Sequence, residues 1–181
     1  MLKKTNLHVG DPARDFVIAD VNGDEFNLAE FKGKKSLVLV FLRYLGCPLC
    51  QFTLQQFKNS YPEFYAKNAE VAIIIQSPAS TIQESGDVNV FPFRLIPDPK
   101  ELIYRQYGVG SGNLLMIPQS ILKAFIYSIK GYRSGKQEGN TWQLPGDFVI
   151  DKEGIIRFVY IGKNMGDNLP PGKLLSYIGT E

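Results

Sequence analysis

The sequence predicts an α/β fold in which a central mixed β-sheet carries helices on both faces and an N-terminal β-hairpin precedes it. Three observations point there. Residues 36–42 (SLVLVFL) are a continuous β-rich run and residues 70–76 (EVAIIIQ) a second apolar segment of strand length, as expected of strands buried on both faces. Residues 148–151 and 155–161 form a second kind of pair, joined by the short turn Asp151-Lys152-Glu153-Gly154. Crossover units first and a hairpin last make the sheet mixed.

Taken in order, residues 15–28 (DFVIADVNGDEFNL) place two alternating segments around Asn22-Gly23, a strong short-range hairpin signal. A polar turn at residues 32–35 leads into the strand at 36–42, which stops at Gly46-Cys47-Pro48. Pro48 suits the first position of a helix, because the N–H it lacks is one the helix could not use. From Leu49 the apolar residues Phe52, Leu54, Phe57, Tyr61, Phe64 and Tyr65 recur at helical spacing, and Pro62 is expected to kink or split that helix. After the strand at 70–76 come a short helix at 80–84, a strand at 93–96 and a helix at 101–107 that Gly108 stops. Residues 110–140 read as an insertion. Its amphipathic segment, 119–129, carries Ile121, Leu122, Phe125, Ile126 and Ile129, and suits a helix covering the sheet, a homodimer contact or a membrane-surface helix with Lys123 and Lys130 as its basic edge. A final helix spans 172–178, and the whole, 1–181, reads as one domain.

Bulk composition removes several function classes. With 20 basic and 18 acidic residues the formal charge is +2, which gives no electrostatic reason to expect nucleic acid. The longest apolar run is strand-sized, so no integral membrane segment is expected. Residues 1–10 are polar and carry no apolar stretch of the signal-peptide kind, which makes the cytoplasm the default location. A chain of this length can bury roughly two-thirds of its unfolded surface, so stability needs no disulfide framework. The two cysteines, three positions apart, close too small a loop to stabilise much. Chemistry is the better reason for them.

That chemistry lies in FLRYLGCPLC, residues 41–50. Cys47 follows a buried strand and precedes a helix, which places it at the N-cap, where unpaired N–H groups and the positive end of the helix dipole favour an anion. A thiolate is an anion, so Cys47 is the expected nucleophile. Cys50 lies one turn on, on the same face, within the separation a disulfide accepts. One sulfur attacks and the other resolves. Two buried structural cysteines are the bland alternative. A metal site would need more, since the only conventional nitrogen ligand is His8. Arg43, four residues before Cys47, is the nearest cation, and a solvated strand-end Arg is its bland reading. Near the end, Pro145 directly precedes a strand, as a fixed turn with a cis peptide would, or as an ordinary strand-start proline.

GDPARDFVIADVNGDEFNL, VFLRYLGCPLCQ and QLPGDFVIDKEGIIRFVYIG together resemble the thioredoxin-like superfamily, and within it the peroxiredoxin-like branch of the alkyl hydroperoxide reductase/thiol-specific antioxidant family. The resemblance implies a thioredoxin-like fold and a peroxidatic role for Cys47, with Pro48 opening the helix and Cys50 in the resolving position. It makes Pro145 the cis-proline that faces a CxxC. Hydroperoxide or disulfide substrates follow, with a thioredoxin- or glutathione-type reductant and no bound cofactor. The chain departs from the family's pattern at three points: Tyr44 stands where a Thr or Ser is usual, Val40 where a Pro is usual, and Pro145 where a late-strand Arg is usual. Tyr44 carries a phenol that can donate a hydrogen bond, with a packing role as its bland reading. Three activities remain open at this stage: hydroperoxide reduction, protein disulfide exchange, and a redox-sensing interaction module without turnover.

Overall fold

The computed structural model describes residues 7–86, 90–112, 126, 129, 131–132 and 134–179. The hairpin comes first, as β1 (Val17–Ala19) and β2 (Glu25–Asn27), antiparallel with Ile18 opposite Phe26. Its connection is longer than the two-residue turn that Asn22-Gly23 predicts, because Ala19 pairs with Glu25. The buried Asp20 carboxylate organises this loop, accepting from the Asn22 and Asp24 N–H groups at 2.9 and 3.1 Å and pairing with Arg94.

The main sheet has the order β5-β4-β3-β6-β7. Three strands are parallel neighbours: β3 (Ser36–Phe41), β4 (Ala69–Ile75) and β5 (Arg94–Pro97). On the other side of β3, β6 (Gly146–Ile150) and β7 (Ile156–Ile161) complete the sheet as antiparallel neighbours. The helices are α1 (Pro48–Ala66), α2 (Ala79–Glu84), α3 (Leu102–Tyr107) and α4 (Pro171–Leu175). This is the mixed sheet the sequence predicts.

Strand alternation divides the interior in two. Val38, Val40 and Leu42 join Val149, the α1 residues Leu54, Phe57 and Phe64, and Leu174 of α4 on one face. Leu37, Leu39 and Phe41 face the other way, with Phe148, Tyr104 and Tyr107. There Phe41 meets Tyr104 and Phe148 edge-on at 5.2 and 5.6 Å between centroids, the arrangement aromatic quadrupoles favour.

Pro62 does not split α1, which runs unbroken from Pro48 to Ala66. Pro62 and Glu63 lie on the solvent side of the helix, so water can satisfy the carbonyl that the missing N–H leaves unpaired. Most of the amphipathic segment 119–129 lies outside the described residues. Of it, Ile126 and Ile129 are helical, and Ile129 is 72% exposed. Among the described residues no helix is long and apolar enough to cross a membrane.

Candidate active site

The site forms where β3 hands over to α1. The turn between them is fastened to the neighbouring strand: Leu42 N–H donates to Ile74 O at 2.9 Å and Gln76 N–H to Arg43 O at 2.8 Å. Two side chains hold Leu45, since Ser77 Oγ accepts from its N–H at 2.9 Å and Gln51 Nε2 donates to its carbonyl at 3.0 Å. Cys47 is the N-cap of α1, with extended backbone (φ −86°, ψ 120°), and its carbonyl accepts the first helical bond, from Gln51 N–H at 3.0 Å. Pro48 is the first helical residue. The strand–turn–helix context expected of CxxC is therefore present, and both cysteines are free thiols.

The two sulfurs share one proton unequally. Cys47 is lowered to about 6, first because the Cys50 thiol donates a hydrogen bond to its sulfur. Burial opposes this, while the Arg43 guanidinium and the N–H groups of Cys50 and Leu49 act with it. Those amides are the unpaired donors of the helix N-terminus, so the N-cap argument holds, although they rank below the neighbouring thiol. Cys50 moves well above its ordinary value, through burial first, then through its hydrogen bond with Cys47 and the Cys47 charge. A thiolate and a thiol in contact have the properties that a nucleophile and a resolving partner need.

Arg43 is buried, not solvated as its bland reading would have it. Its Nη1 lies 3.7 Å from Cys47 Sγ, and its Nη2 donates to Tyr44 Oη at 3.3 Å. The guanidinium carbon sits 5.0 Å from the Tyr44 ring centre, a cation–π distance. Burial raises the Tyr44 phenol, with Arg43 opposing, so the hydroxyl keeps its proton at neutral pH. Replacing Arg43 by Met removes a cation from the sulfur while keeping the chain length. We expect the midpoint of Cys47 alkylation against pH to rise from about 6 by roughly one unit. An unmoved midpoint would show that the guanidinium does not act on the sulfur.

Pro145 departs from expectation. The peptide before it is trans, because the chain is already extended on entering β6: Leu144 N–H donates to Gly110 O at 3.1 Å, and Pro145 O accepts from Gly162 N–H at 2.9 Å. Pro145 acts as a strand-start proline whose ring packs where Gly162 leaves room, a Cβ there falling 2.6 Å from Pro145 Cγ.

The structure also adds residues that the sequence reading passed over. Gly135 N–H donates to Gly46 O at 2.8 Å, so the far end of the insertion lies on the active-site turn. Gln76 and Gln143, both buried, join the end of β4 to residues 139–144 through a 3.2 Å side-chain bond. Asp147 points to the α1 side of β6 and is 1% exposed, with neither carboxylate oxygen in a hydrogen bond of good geometry. None shows in a local pattern, except that a glycine directly before Cys47 signals a close backbone approach. Among the described residues no group of three or more His, Cys, Asp or Glu is placed to hold a metal ion.

What this pair can exchange is two electrons and two protons, through a disulfide between Cys47 and Cys50. A sheet and helix arranged this way around such a pair make the protein a thiol oxidoreductase. The chain belongs to the AhpC/TSA family, whose sequence pattern matches residues 9–159. It is similar to alkyl hydroperoxide reductase E from Mycobacterium tuberculosis (strain ATCC 25618 / H37Rv), 28% identical over 154 residues, 84% of each chain. It is also similar to thiol-disulfide oxidoreductase ResA from Geobacillus thermodenitrificans (strain NG80-2), 28% identical over 111 residues, 60% of this chain and 62% of that protein. The crystal structure of peroxidoxin BcpB from Mycobacterium tuberculosis superposes with a TM-score of 0.67 at 21% identity, covering 96% of this chain and 97% of that one. The fold is thioredoxin-like. The role common to these relatives is thiol-dependent redox chemistry.

Proposed function

We propose that the protein reduces hydroperoxides. The observation that carries this reading is the Arg43 guanidinium 3.7 Å from Cys47 Sγ with the Tyr44 phenol beside it. These put a cation at the nucleophile, where an O–O bond would break, and a protonated hydroxyl on that cation. They stand in for the Thr or Ser and the late Arg that the family usually supplies. Cys47 thiolate attacks the terminal oxygen of ROOH, the O–O bond breaks, and the electron pair leaves on RO⁻, which takes a proton to become ROH. Cys47 is now a sulfenic acid. Cys50 condenses with it, releasing water and forming the Cys47–Cys50 disulfide. Two equivalents of an external thiol of the thioredoxin or glutathione type restore both thiols and leave as a disulfide, with no bound cofactor. We place this cycle in the cytoplasm, where such thiols are kept reduced.

A second reading is thiol–disulfide exchange, favoured by Tyr44 standing in place of the Thr or Ser and by the similarity to ResA. In it, Cys47 attacks a disulfide and Cys50 resolves the mixed disulfide.

Stopped-flow oxidation of the reduced protein by hydrogen peroxide separates the two, with Trp142, the single tryptophan, as reporter and mass spectrometry of the product. We expect disulfide formation at least about a hundredfold faster than oxidation of a free thiol at the same pH, abolished by Cys47→Ser. A rate matching the free thiol would overturn the peroxidase and favour exchange. Oxidation without recycling by added thiols would leave only a redox-sensing module.

A further inference from the structure

Both sulfurs are nearly closed off, Cys47 and Cys50 each being 2% exposed, and a segment of the insertion lies over the turn that carries the first of them. Gly135 N–H donates to Gly46 O at 2.8 Å. The two backbones meet closely, and at Gly46 only glycine fits. A Cβ on Gly46 would fall 2.5 Å from Lys136 O, and one on Gly135 3.1 Å from Gly46 Cα. Neither residue has a positive φ, so close approach is what requires glycine at 46 and favours it at 135.

The segment is held on either side of this contact. Before it, the Tyr132 ring meets Phe52 of α1 edge-on at 5.7 Å. After it, Thr81 Oγ1 donates to Glu138 Oε1 at 2.7 Å, and Asn140 N–H donates to Gln76 Oε1 at 2.9 Å. What stays open is a groove lined by Leu45, Gly46, Gln51, Thr81, Gly135 and Lys136.

We propose that residues 134–138 are a strap that restricts Cys47 to small substrates, with Gly46 and Gly135 as the residues that set this selectivity. The proposal rests on Cys47 being the nucleophile, and it narrows the substrate class to compact hydroperoxides and small thiols. An extended segment of a protein substrate binds by adding backbone hydrogen bonds to a free edge, and the acceptor next to Cys47, Gly46 O, is already taken by Gly135. A protein disulfide therefore reaches Cys47 only when the strap lifts. Glu138 is the side-chain anchor of the strap: its Oε1 accepts the Thr81 bond and lies 3.7 Å from Lys136 Nζ, while its Oε2 is buried without a hydrogen-bond partner.

The test is alkylation of Cys47 in the reduced full chain by iodoacetamide and by a polymer-bound maleimide, each rate divided by that reagent's rate with glutathione. In the native protein the bulky reagent should lag the small one by about a hundredfold or more on this scale. Glu138→Ala should close that gap by about tenfold while the iodoacetamide rate changes little. A native protein in which both reagents reach Cys47 equally well overturns the strap. So does a Glu138→Ala variant with native melting behaviour and an unchanged gap. If that variant fails to fold, hydrogen exchange of the native protein decides. A Gly135 amide protected well beyond an exposed amide supports a strap closed over the turn, and one exchanging at the exposed-amide rate overturns it. None of these readings needs peroxide, so failure of the peroxidase reading would show separately, in the stopped-flow rate.

Discussion

At pH 7, iodoacetamide should alkylate Cys47 at least about a hundredfold faster than Cys50. The reagent consumes thiolate. With its pKa lowered to about 6, Cys47 is roughly nine-tenths thiolate at that pH, whereas Cys50, raised by burial and by its neighbour's charge, holds well under a hundredth. The Cys47 rate should climb through pH 6 and level off above pH 7. Because the Cys50 thiol is the leading cause of the low Cys47 value, Cys50→Ala should move that midpoint upward by more than Arg43→Met does. Peptide mass spectrometry after a short pulse of reagent measures each site. Equal rates at the two cysteines, or a midpoint near the free-thiol value of about 8.5, would remove the division of labour on which the site depends.

Asp147→Asn should stabilise the protein at pH 8 by about 2 kcal/mol or more and by under about 1 kcal/mol at pH 4. Burial raises the Asp147 carboxyl to about 8, with the Asp167 charge adding to this and the Leu169 N–H opposing it. Unfolded, it ionises near the ordinary carboxylate value of about 3.9. Between those two values the folded chain keeps a proton that the unfolded chain has lost, so stability falls as pH rises from about 4 and levels off above about 8. Below pH 4 both states are protonated and the cost vanishes. Asparagine keeps the shape and removes the proton linkage. Melting temperatures across this range would show the gain, at about 2–4 °C per kcal/mol for a chain of this size. A gain independent of pH would mean that Asp147 is already ionised in the fold.

The sulfur site was legible because its logic is local. A buried strand, a turn and a helix opening with Pro48 are consecutive in the chain, so the N-cap position of Cys47 and the one-turn offset of Cys50 follow from helix geometry alone. The same holds for the sheet. Residues 36–42 and 70–76 announce buried strands by unbroken hydrophobicity, and the terminal hairpin declares itself by its turn. Pro145 shows where local reading fails. A proline before a strand is compatible with either isomer, and the bonds from Leu144 to Gly110 and from Gly162 to Pro145, formed across the chain, settle it as trans.

By itself, then, the sequence determined which segments become strands and that two thiols open a helix one turn apart, since each depends on residues within a turn or two of one another. Only the tertiary structure decided what surrounds them. Arg43 could be solvated or buried until the packing of the turn against β4 and Tyr44 brought its guanidinium to the sulfur. The pairing of Gly46 with Gly135 joins residues 89 positions apart, and no periodicity records it. Asp147 reads as one more strand residue until the sheet closes over it on both sides. Burial, and the shifts in charge that burial causes, come from atoms remote in sequence, and they tune a site whose reactive groups are near neighbours in the chain.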